Sequence, residues 1–387
     1  MNNSQKNILC ISVMQSWGGG EEFLIKLAAN VKGNNIIVAS PEGEPMKIFQ
    51  QNGIKAIRID SLKKFYRKEN TWEILSWIKI LFNLLISTIR LIKVILTHKI
   101  DLILANGNFA GLYSVPLKIL TRKKLVVIQH LIYKEGSLET KILKMLSRYA
   151  DRLVSISDSV SDNLQLICGE GCTNKTVKIY HGINLPKLDE GSSIKNVNIN
   201  IGIVGSIIRL KAIDKVIQAA KETIFINRDV HLHIFGLPRE DEPDSIQYEK
   251  ELMKFISEEN LERNVHFHGF EKSKEKIYRS IDILINYSKI PESFSFTVLE
   301  ALSFGKIVIA SDVGGPKELI KNNVNGFLVP PSDTLALSEK IKYCIEEFNS
   351  IEIETVRNNA RKSVEEKFSL ERFTSEYKKL FDSILSV

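Results

Sequence analysis

Cysteine is scarce, and its spacing excludes a zinc site. Cys10, Cys168, Cys172 and Cys344 are the only four, and none falls at a metal-binding interval. The Gly-Glu-Gly between Cys168 and Cys172 matches no known site, so reduced structural thiols of a cytosolic protein are expected. No Asp-x-Asp pair occurs anywhere. No GxGxxG fingerprint occurs either, because the glycines at Gly18, Gly19 and Gly20 are consecutive, and this discounts NAD binding. The first residues, MNNSQKN, are polar, and the apolar run Ile8 to Met14 is too short for a secretory signal. A chain that stays in the cytoplasm is therefore expected. There is no nucleic-acid motif and no ladder of alternating aromatic and basic residues. The longest apolar stretch, Thr71 to Thr97, is interrupted by Lys79, Asn83, Arg90 and Lys93, which argues against a membrane-spanning helix.

What is present is the composition of a soluble globular protein, 387 residues with 44% hydrophobic and 26% charged, long enough for two or three domains. The charge is divided unevenly. Lys and Arg outnumber Asp and Glu 25 to 14 in residues 1–184 and are outnumbered 28 to 32 beyond, a net +11 against −4. The basic front half suits an anionic membrane or an acidic acceptor. Lys63, Lys64, Arg67 and Lys68 stand just before the Thr71–Thr97 stretch, whose apolar residues include Trp72, Trp77, Ile78, Leu81, Phe82, Leu85 and Ile89. Two readings of that stretch stay open: a helix covering a sheet, or one whose apolar face lies on the cytoplasmic membrane surface.

β-Branched runs recur at Asn7–Val13, Asn35–Ala39, Lys55–Ile59, Asp101–Ala105, Lys124–Gln129, Arg152–Ile156 and Thr176–Tyr180, with helical patterns between most of them. This alternation predicts a parallel, doubly wound sheet. The first strand leads through Gly18–Gly20 into a helix carrying Phe23, Leu24 and Leu27, a strand, glycine loop and helix of the kind that approaches a phosphate. Asn106, Gly107 and Asn108 follow one strand and His130 another, at the ends where such sheets bind ligands. A polar segment with Pro186, Gly191 and Ser192 then reads as a linker over 185–198.

A second strand, loop and helix follow at Asn200–Val204, Gly205–Lys211 and Ala212 onward. Strands are expected again at Val230–Phe235, ending in Gly236, and at Asn264–Gly269, ending in Phe270. His231, His233, His266 and His268 alternate as strand residues do, and without a carboxylate or cysteine at metal spacing they read as core and edge histidines. The most informative stretch is Pro291–Ile320, PESFSFTVLEALSFGKIVIASDVGGPKELI. It predicts a loop, a helix ended by Gly305, a strand Lys306–Ala310, a Gly314-Gly315-Pro316 break and a short helix through Glu318. Glu292 thus falls in the loop before a helix and Glu300 inside it. A helix N-terminus behind an open loop offers unpaired amides to a phosphate, and a carboxylate beside it suits sugar hydroxyls.

Glu292 and Glu300, separated by seven residues and followed by Ala301, Gly305 and the Gly314-Gly315 turn with Glu318, resemble the signature of retaining glycosyltransferase family 4. That fold is GT-B, an α/β architecture of two Rossmann-like doubly wound domains facing across a cleft. Gly205, Lys211 and Asp214 resemble the family's Gly-Arg-Leu-x3-Lys-Gly-x-Asp loop, with Ser206 where its arginine and Ala212 where its second glycine stand. HGIN at His181–Asn184 is similar to its interdomain boundary, and Gly326–Asp333 to the turn after its site.

The resemblance implies domains at 1–184 (acceptor side) and 199–368 (nucleotide-sugar side), with 369–387 a C-terminal helix crossing back. It implies that Glu292 orients the donor sugar, Lys211 neutralises the leaving diphosphate, and His130 lies near the reacting sugar, these three being the catalytic candidates. It further implies a donor-binding set of Gly19, Gly20, Gly205, Arg209, Lys211, Gly236, Phe270, Ser293, Phe294, Ser295, Phe296, Thr297 and Glu300. Arg209 would supply the charge missing at Ser206, the amides around Ser293–Thr297 would meet the diphosphate, and Glu300 the ribose. No metal and no cofactor are expected beyond a nucleotide-sugar substrate, a UDP- or GDP-sugar. The implied activity is hexosyl or N-acetylhexosaminyl transfer to a saccharide or lipid-linked saccharide in bacterial surface polysaccharide assembly (capsule, lipopolysaccharide O-antigen or exopolysaccharide), at the inner face of the cytoplasmic membrane. Two alternatives remain: a non-catalytic GT-B partner subunit of another transferase, and a nucleotide-sugar 2-epimerase.

Overall fold

Short β-branched runs with no charge inside them become the strands of two parallel sheets, and the amphipathic stretches between them become helices. The computed structural model describes residues 5–64, 74–187, 198–227, 229–239 and 242–386, with side chains omitted at 74–77. Arg67, Lys68 and Trp72, the side chain of Trp77, and residues 188–197 of the expected linker lie outside that description.

The first sheet is built from β1 (Lys6–Ile11), β2 (Asn34–Ser40), β3 (Lys55–Arg58), β4 (Leu102–Asn106), β5 (Lys124–Gln129), β6 (Arg152–Ser155) and β7 (Thr176–Lys178). The helices between them are α1 (Gly19–Asn30), α2 (Glu44–Gln51), α3 (Ile74–Thr97), α4 (Asn108–Thr121), α5 (Leu138–Tyr149) and α6 (Asp158–Cys168). Ser137 and Ser157 start the last two, each accepting the amide three residues on. The strand order is β3-β2-β1-β4-β5-β6-β7, all parallel, with Ile8 flanked by Ile36 and Leu102. The order reverses direction between β1 and β4, and the crevice beyond that switch point is where open sheets bind ligands.

The second sheet contains β8 (Ile199–Val204), β9 (Val230–Phe235), β10 (Val265–Gly269), β11 (Ile283–Asn286), β12 (Ile307–Ser311) and β13 (Phe327–Val329), ordered β10-β9-β8-β11-β12-β13. Its helices are α7 (Ile213–Ile226), α8 (Pro243–Glu258), α9 (Lys274–Ser280), α10 (Phe296–Ser303), α11 (Pro316–Leu319), α12 (Thr334–Glu346) and α13 (Ile351–Lys367). Ile201, Leu232, Ile234, Ile285 and Ile309 meet Val216, Leu252 and Ile341 in one core. The switch point here lies between β8 and β11.

The last helix, α14 (Leu370–Leu385), belongs to the first unit, which comprises Met1–Gly182 and Leu370–Val387; the second is Ile183–Ser369. Within the first unit Phe373 and Tyr377 pack their rings 5.7 and 5.5 Å from Phe23. The division falls just before Ile183 because the Ile183 amide donates to the Phe368 carbonyl at 3.0 Å, tying that residue to the second unit. All four cysteines are free. The four strand histidines pair across β9 and β10, His231 Nδ1 with His266 Nε2 at 3.2 Å and His233 Nδ1 with His268 Nε2 at 2.9 Å. Among the described residues no group of three or more metal-ligating side chains is arranged to hold an ion.

Candidate active site

Both switch points carry residues singled out by the sequence. In the second unit, β8, β9 and β10 end at Gly205, Gly236 and Gly269, linked by Gly205 N to Phe235 O (2.9 Å) and Gly236 N to Gly269 O (2.7 Å). Gly236 has φ +154°, and a Cβ there would stand 1.9 Å from the Gly205 carbonyl, so no other residue fits. A cavity of about 380 Å³ opens over these turns, lined by Gly205, Ser206, Gly236, Leu237, Arg239 and Phe270 among others. Phe270 is 75% exposed at its margin.

Beyond Ser206 the chain makes a 3-10 turn, Arg209–Lys211, and enters α7 through Ala212. The turn is fastened to the loop after β11 by the Leu210 carbonyl, which accepts Lys289 N at 3.1 Å and Ser288 Oγ at 3.2 Å. Its Lys211 forms an ion pair with Glu292 of that loop, both side chains only about a fifth exposed (24% and 18%). Lys211 and Glu292 are thus brought together from 81 residues apart. Arg209 is not with them. Its guanidinium binds Asp244 at 2.9 Å and Glu251 at 2.9 Å, the first turn and middle of α8, and lies over the Tyr248 ring. In this structure it therefore leaves Lys211 as the cation beside Glu292.

The loop Pro291–Phe294 is held by the Gly314–Gly315 turn. Gly315 N donates to Glu292 O at 2.7 Å, and a Cβ on Gly314 (φ +68°) would meet Glu292 O at 2.5 Å. Two glycines are what allow this backbone contact. The next residues start α10, with Ser295 as its cap position but no side-chain cap bond. Ser295 Oγ is occupied by Asn286 Nδ2 (3.2 Å) and Thr297 Oγ1 (3.3 Å) instead, so the first-turn amides from Phe296 on are not covered by it. Ser293 and Phe294 precede that turn, and Phe294 packs edge-on to Phe296 at 5.4 Å. Glu300, on α10, is 8% exposed and faces α9, taking Tyr278 Oη at 2.8 Å on one oxygen and Lys274 on the other.

In the first unit, Gly19 and Gly20 open α1, and the position of a Gly20 Cβ lies 3.3 Å from Asn106 Nδ2 and 3.9 Å from the His130 ring. Asn106, the last residue of β4, donates through Nδ2 to Gly20 O at 3.1 Å. Its Oδ1 therefore faces His130 Nε2, 2.7 Å away, which must carry the proton and donate it. Burial pushes the His130 pKa down to about 4, so the ring is neutral near pH 7 with Nδ1 as its acceptor. His181 stacks on it at 5.7 Å, and Phe23 touches both rings.

Sequence reasoning passed over Asn106 as a binding partner and Glu21 altogether. Glu21 is 2% exposed, accepts Ser12 Oγ at 3.0 Å and lies 3.5 Å from Asn106 Nδ2. Burial pushes its carboxyl up to about 7, only partly offset by the Ser12 hydrogen bond. A carboxyl whose native pKa exceeds its unfolded value binds extra protons in the fold between those two values, so stability falls as pH rises through that window. Glu21→Gln removes this penalty. The stability difference between variant and parent should shift toward the variant by about 3 kcal/mol between pH 4.5 and pH 7.5, read by urea unfolding at both ends; a constant difference would show that the native carboxyl of Glu21 is not raised above its unfolded value.

The family model described as Glycosyltransferase Family 4 matches residues 17–187, and that described as Glycosyl transferases group 1 matches residues 187–363. A poly(ribitol-phosphate) alpha-N-acetylglucosaminyltransferase of Staphylococcus aureus is 26% identical over 184 residues, 47% of this chain and 35% of that enzyme. The capsular polysaccharide biosynthesis glycosyltransferase CapM of Staphylococcus aureus is 27% identical over 231 residues, 59% of this chain and 58% of its own. The chain spans about a third of the first relative and under two thirds of the second. Among solved structures, Anabaena HepE in complex with UDP aligns over 98% of this chain and 100% of its own with a TM-score of 0.82 at 22% identity. The two parallel-sheet units are those of a GT-B fold.

Proposed function

The chain belongs to the GT-B glycosyltransferases, and from that premise we propose a retaining family 4 enzyme that moves a hexosyl or N-acetylhexosaminyl group from a nucleotide-sugar to a saccharide or lipid-linked saccharide acceptor in surface polysaccharide assembly. The observation that carries it is the Lys211–Glu292 ion pair, held next to the glycine-turned cavity at the switch point of the second sheet. Departure of a nucleoside diphosphate from an oxocarbenium-like carbon puts negative charge on the diphosphate. A partly buried lysine and the first-turn amides of α10 are donors fixed in advance for that charge. Glu292 is the carboxylate for the sugar hydroxyls, and its bond to Lys211 keeps it oriented while the donor is absent. Glu300, within the helix, serves the ribose, exchanging the exposed Lys274 for a hydroxyl while Tyr278 holds its other oxygen. The donor candidates are UDP- and GDP-sugars; HepE, TM-score 0.82, was solved with UDP. The chemistry calls on no metal in this reading, because lysine and amides supply the positive charge.

The test is release of nucleoside diphosphate from a panel of UDP-, GDP-, dTDP- and ADP-sugars, with Glu292→Ala in parallel. Release from one donor that falls at least a hundredfold in the mutant, with nucleotide still bound, is the expected result. Equal release by parent and mutant would remove Glu292 from the site. A second reading, a non-catalytic partner subunit, draws on one observation: Ser206 replaces the expected arginine, and Arg209 is engaged by Asp244 and Glu251. Nucleotide binding without release, even with acceptor lipid extract added, would favour it.

A further inference from the structure

We propose that the outward face of α3 docks this protein on an anionic membrane surface. Residues of a helix advance about 100° each, and on that projection Ile78, Leu81, Phe82, Leu85, Ile89 and Leu96 fall in one stripe along the helix. Each is between 56% and 70% exposed. An unbroken apolar band of this length facing water is not what a surface helix of a soluble domain normally shows, and it marks a contact surface.

The helix does not cross the membrane. Its span Ile78–Thr97 is long and apolar enough by length and composition, but the opposite face belongs to the domain. Leu91, Val94 and Ile95 are buried, and Ser87 Oγ donates to Ser61 Oγ at 2.7 Å. Removing that face from its neighbours would uncover the core.

Charge selects the occupant. No Asp or Glu occurs from Ile74 to Thr97, whereas Lys79, Arg90 and Lys93 all fall on the same flank of the stripe. Arg90 and Lys93 also line a groove of about 460 Å³ with Arg58, Thr97 and His98. Arg58 is paired with Glu42 and Asp60, Asp60 also feels the charge of Arg90, and Arg90 and Lys93 are both exposed. An apolar band edged by cations fits a leaflet of acidic lipid, with tails under the stripe and headgroup phosphates on the flank. A second copy of the chain fits worse, because its α3 brings no Asp or Glu to meet these cations. The surface lies wholly in the first unit, so the inference does not depend on the donor reading.

Flotation of the full chain with vesicles tests it. At low salt the protein should rise with phosphatidylcholine vesicles containing phosphatidylglycerol and stay behind with phosphatidylcholine alone. Leu85→Glu with Ile89→Glu should weaken binding more than tenfold, and Arg90→Gln with Lys93→Gln about thirtyfold, both variants unfolding thermally as the parent does. High salt should release the protein. Absence of binding to the anionic vesicles at low salt would overturn the proposal, as would binding that Leu85→Glu with Ile89→Glu leaves intact. A lipid-free dimer by light scattering that those two substitutions convert to monomer, without vesicle binding, would assign the stripe to self-association instead.

Discussion

In the Lys211→Ala protein, release of nucleoside diphosphate should fall by about a hundred- to a thousandfold, with KM for the donor rising only a few fold. The lysine is positioned before any ligand arrives. Its turn is fastened through Leu210 to Ser288 and Lys289, its Cε lies 3.7 Å from where a Cβ on Gly205 would stand, and its ammonium is on Glu292. A donor fixed in advance acts most on the state in which charge is greatest, the departing diphosphate, so the loss should fall on kcat. Removing the cation also leaves Glu292, 18% exposed, without its partner, and this predicts that Lys211→Ala with Glu292→Ala together costs less than the product of the single losses. Lys211→Arg keeps the charge but spreads it over a planar fork, and should recover part of the rate. A kcat within threefold of the parent in Lys211→Ala would mean that the diphosphate leaves elsewhere.

Much of this arrangement was legible because it depends on local pattern. The strand, glycine turn and helix at β8 to α7, the loop, helix and strand from Pro291 to Ser311, and the seven strands of the first sheet all follow from short apolar runs punctuated by glycine. The Gly314–Gly315 turn could be marked from sequence, but the reason for it, backbone contact with Glu292, required the fold. Four-residue β11 and three-residue β13 escaped notice while the equally short β3, β6 and β7 did not, because a strand is marked only by the residues immediately around it. Long-range partners were out of reach for the same reason. Arg209 was read as a diphosphate ligand from its place in the loop, while its partners Asp244 and Glu251 sit 35 and 42 residues on. Nothing in the pattern marks Glu21 as buried either, because a glutamate in the first turn of a helix is ordinarily a solvated, dipole-favoured residue. Its burial comes from the way α1 lies over the ends of β1 and β4, which brings Ser12 and Asn106 to it.

His130→Ala should lose about a hundredfold in transfer while donor affinity stays within a few fold, and Asn106 decides why. With Nδ2 fixed on the Gly20 carbonyl, Asn106 offers the ring only an acceptor, so His130 is held as the Nε2-protonated neutral tautomer with Nδ1 presented as a base or acceptor. Its pKa of about 4 means that the parent's rate should show no histidine ionisation between pH 5 and 8. Asn106→Asp keeps the acceptor but places a carboxylate 2.7 Å from Nε2, favouring the charged ring and raising its pKa toward neutrality. If the neutral ring is the working form, this variant should be active at pH 8 and lose activity as pH falls through the raised pKa. Asn106→Leu should instead lower the rate about equally at every pH, because the ring loses its orientation and not its charge state. The sign of the linkage gives an independent check on stability. A histidine neutral in the fold and protonated when unfolded binds fewer protons folded, so the parent should lose stability as pH drops from about 6.5 toward 4. Raising the native pKa in Asn106→Asp should shrink that loss. A pH–rate profile for Asn106→Asp that parallels the parent's, with acid unfolding unchanged, would show that Asn106 does not set the protonation of His130.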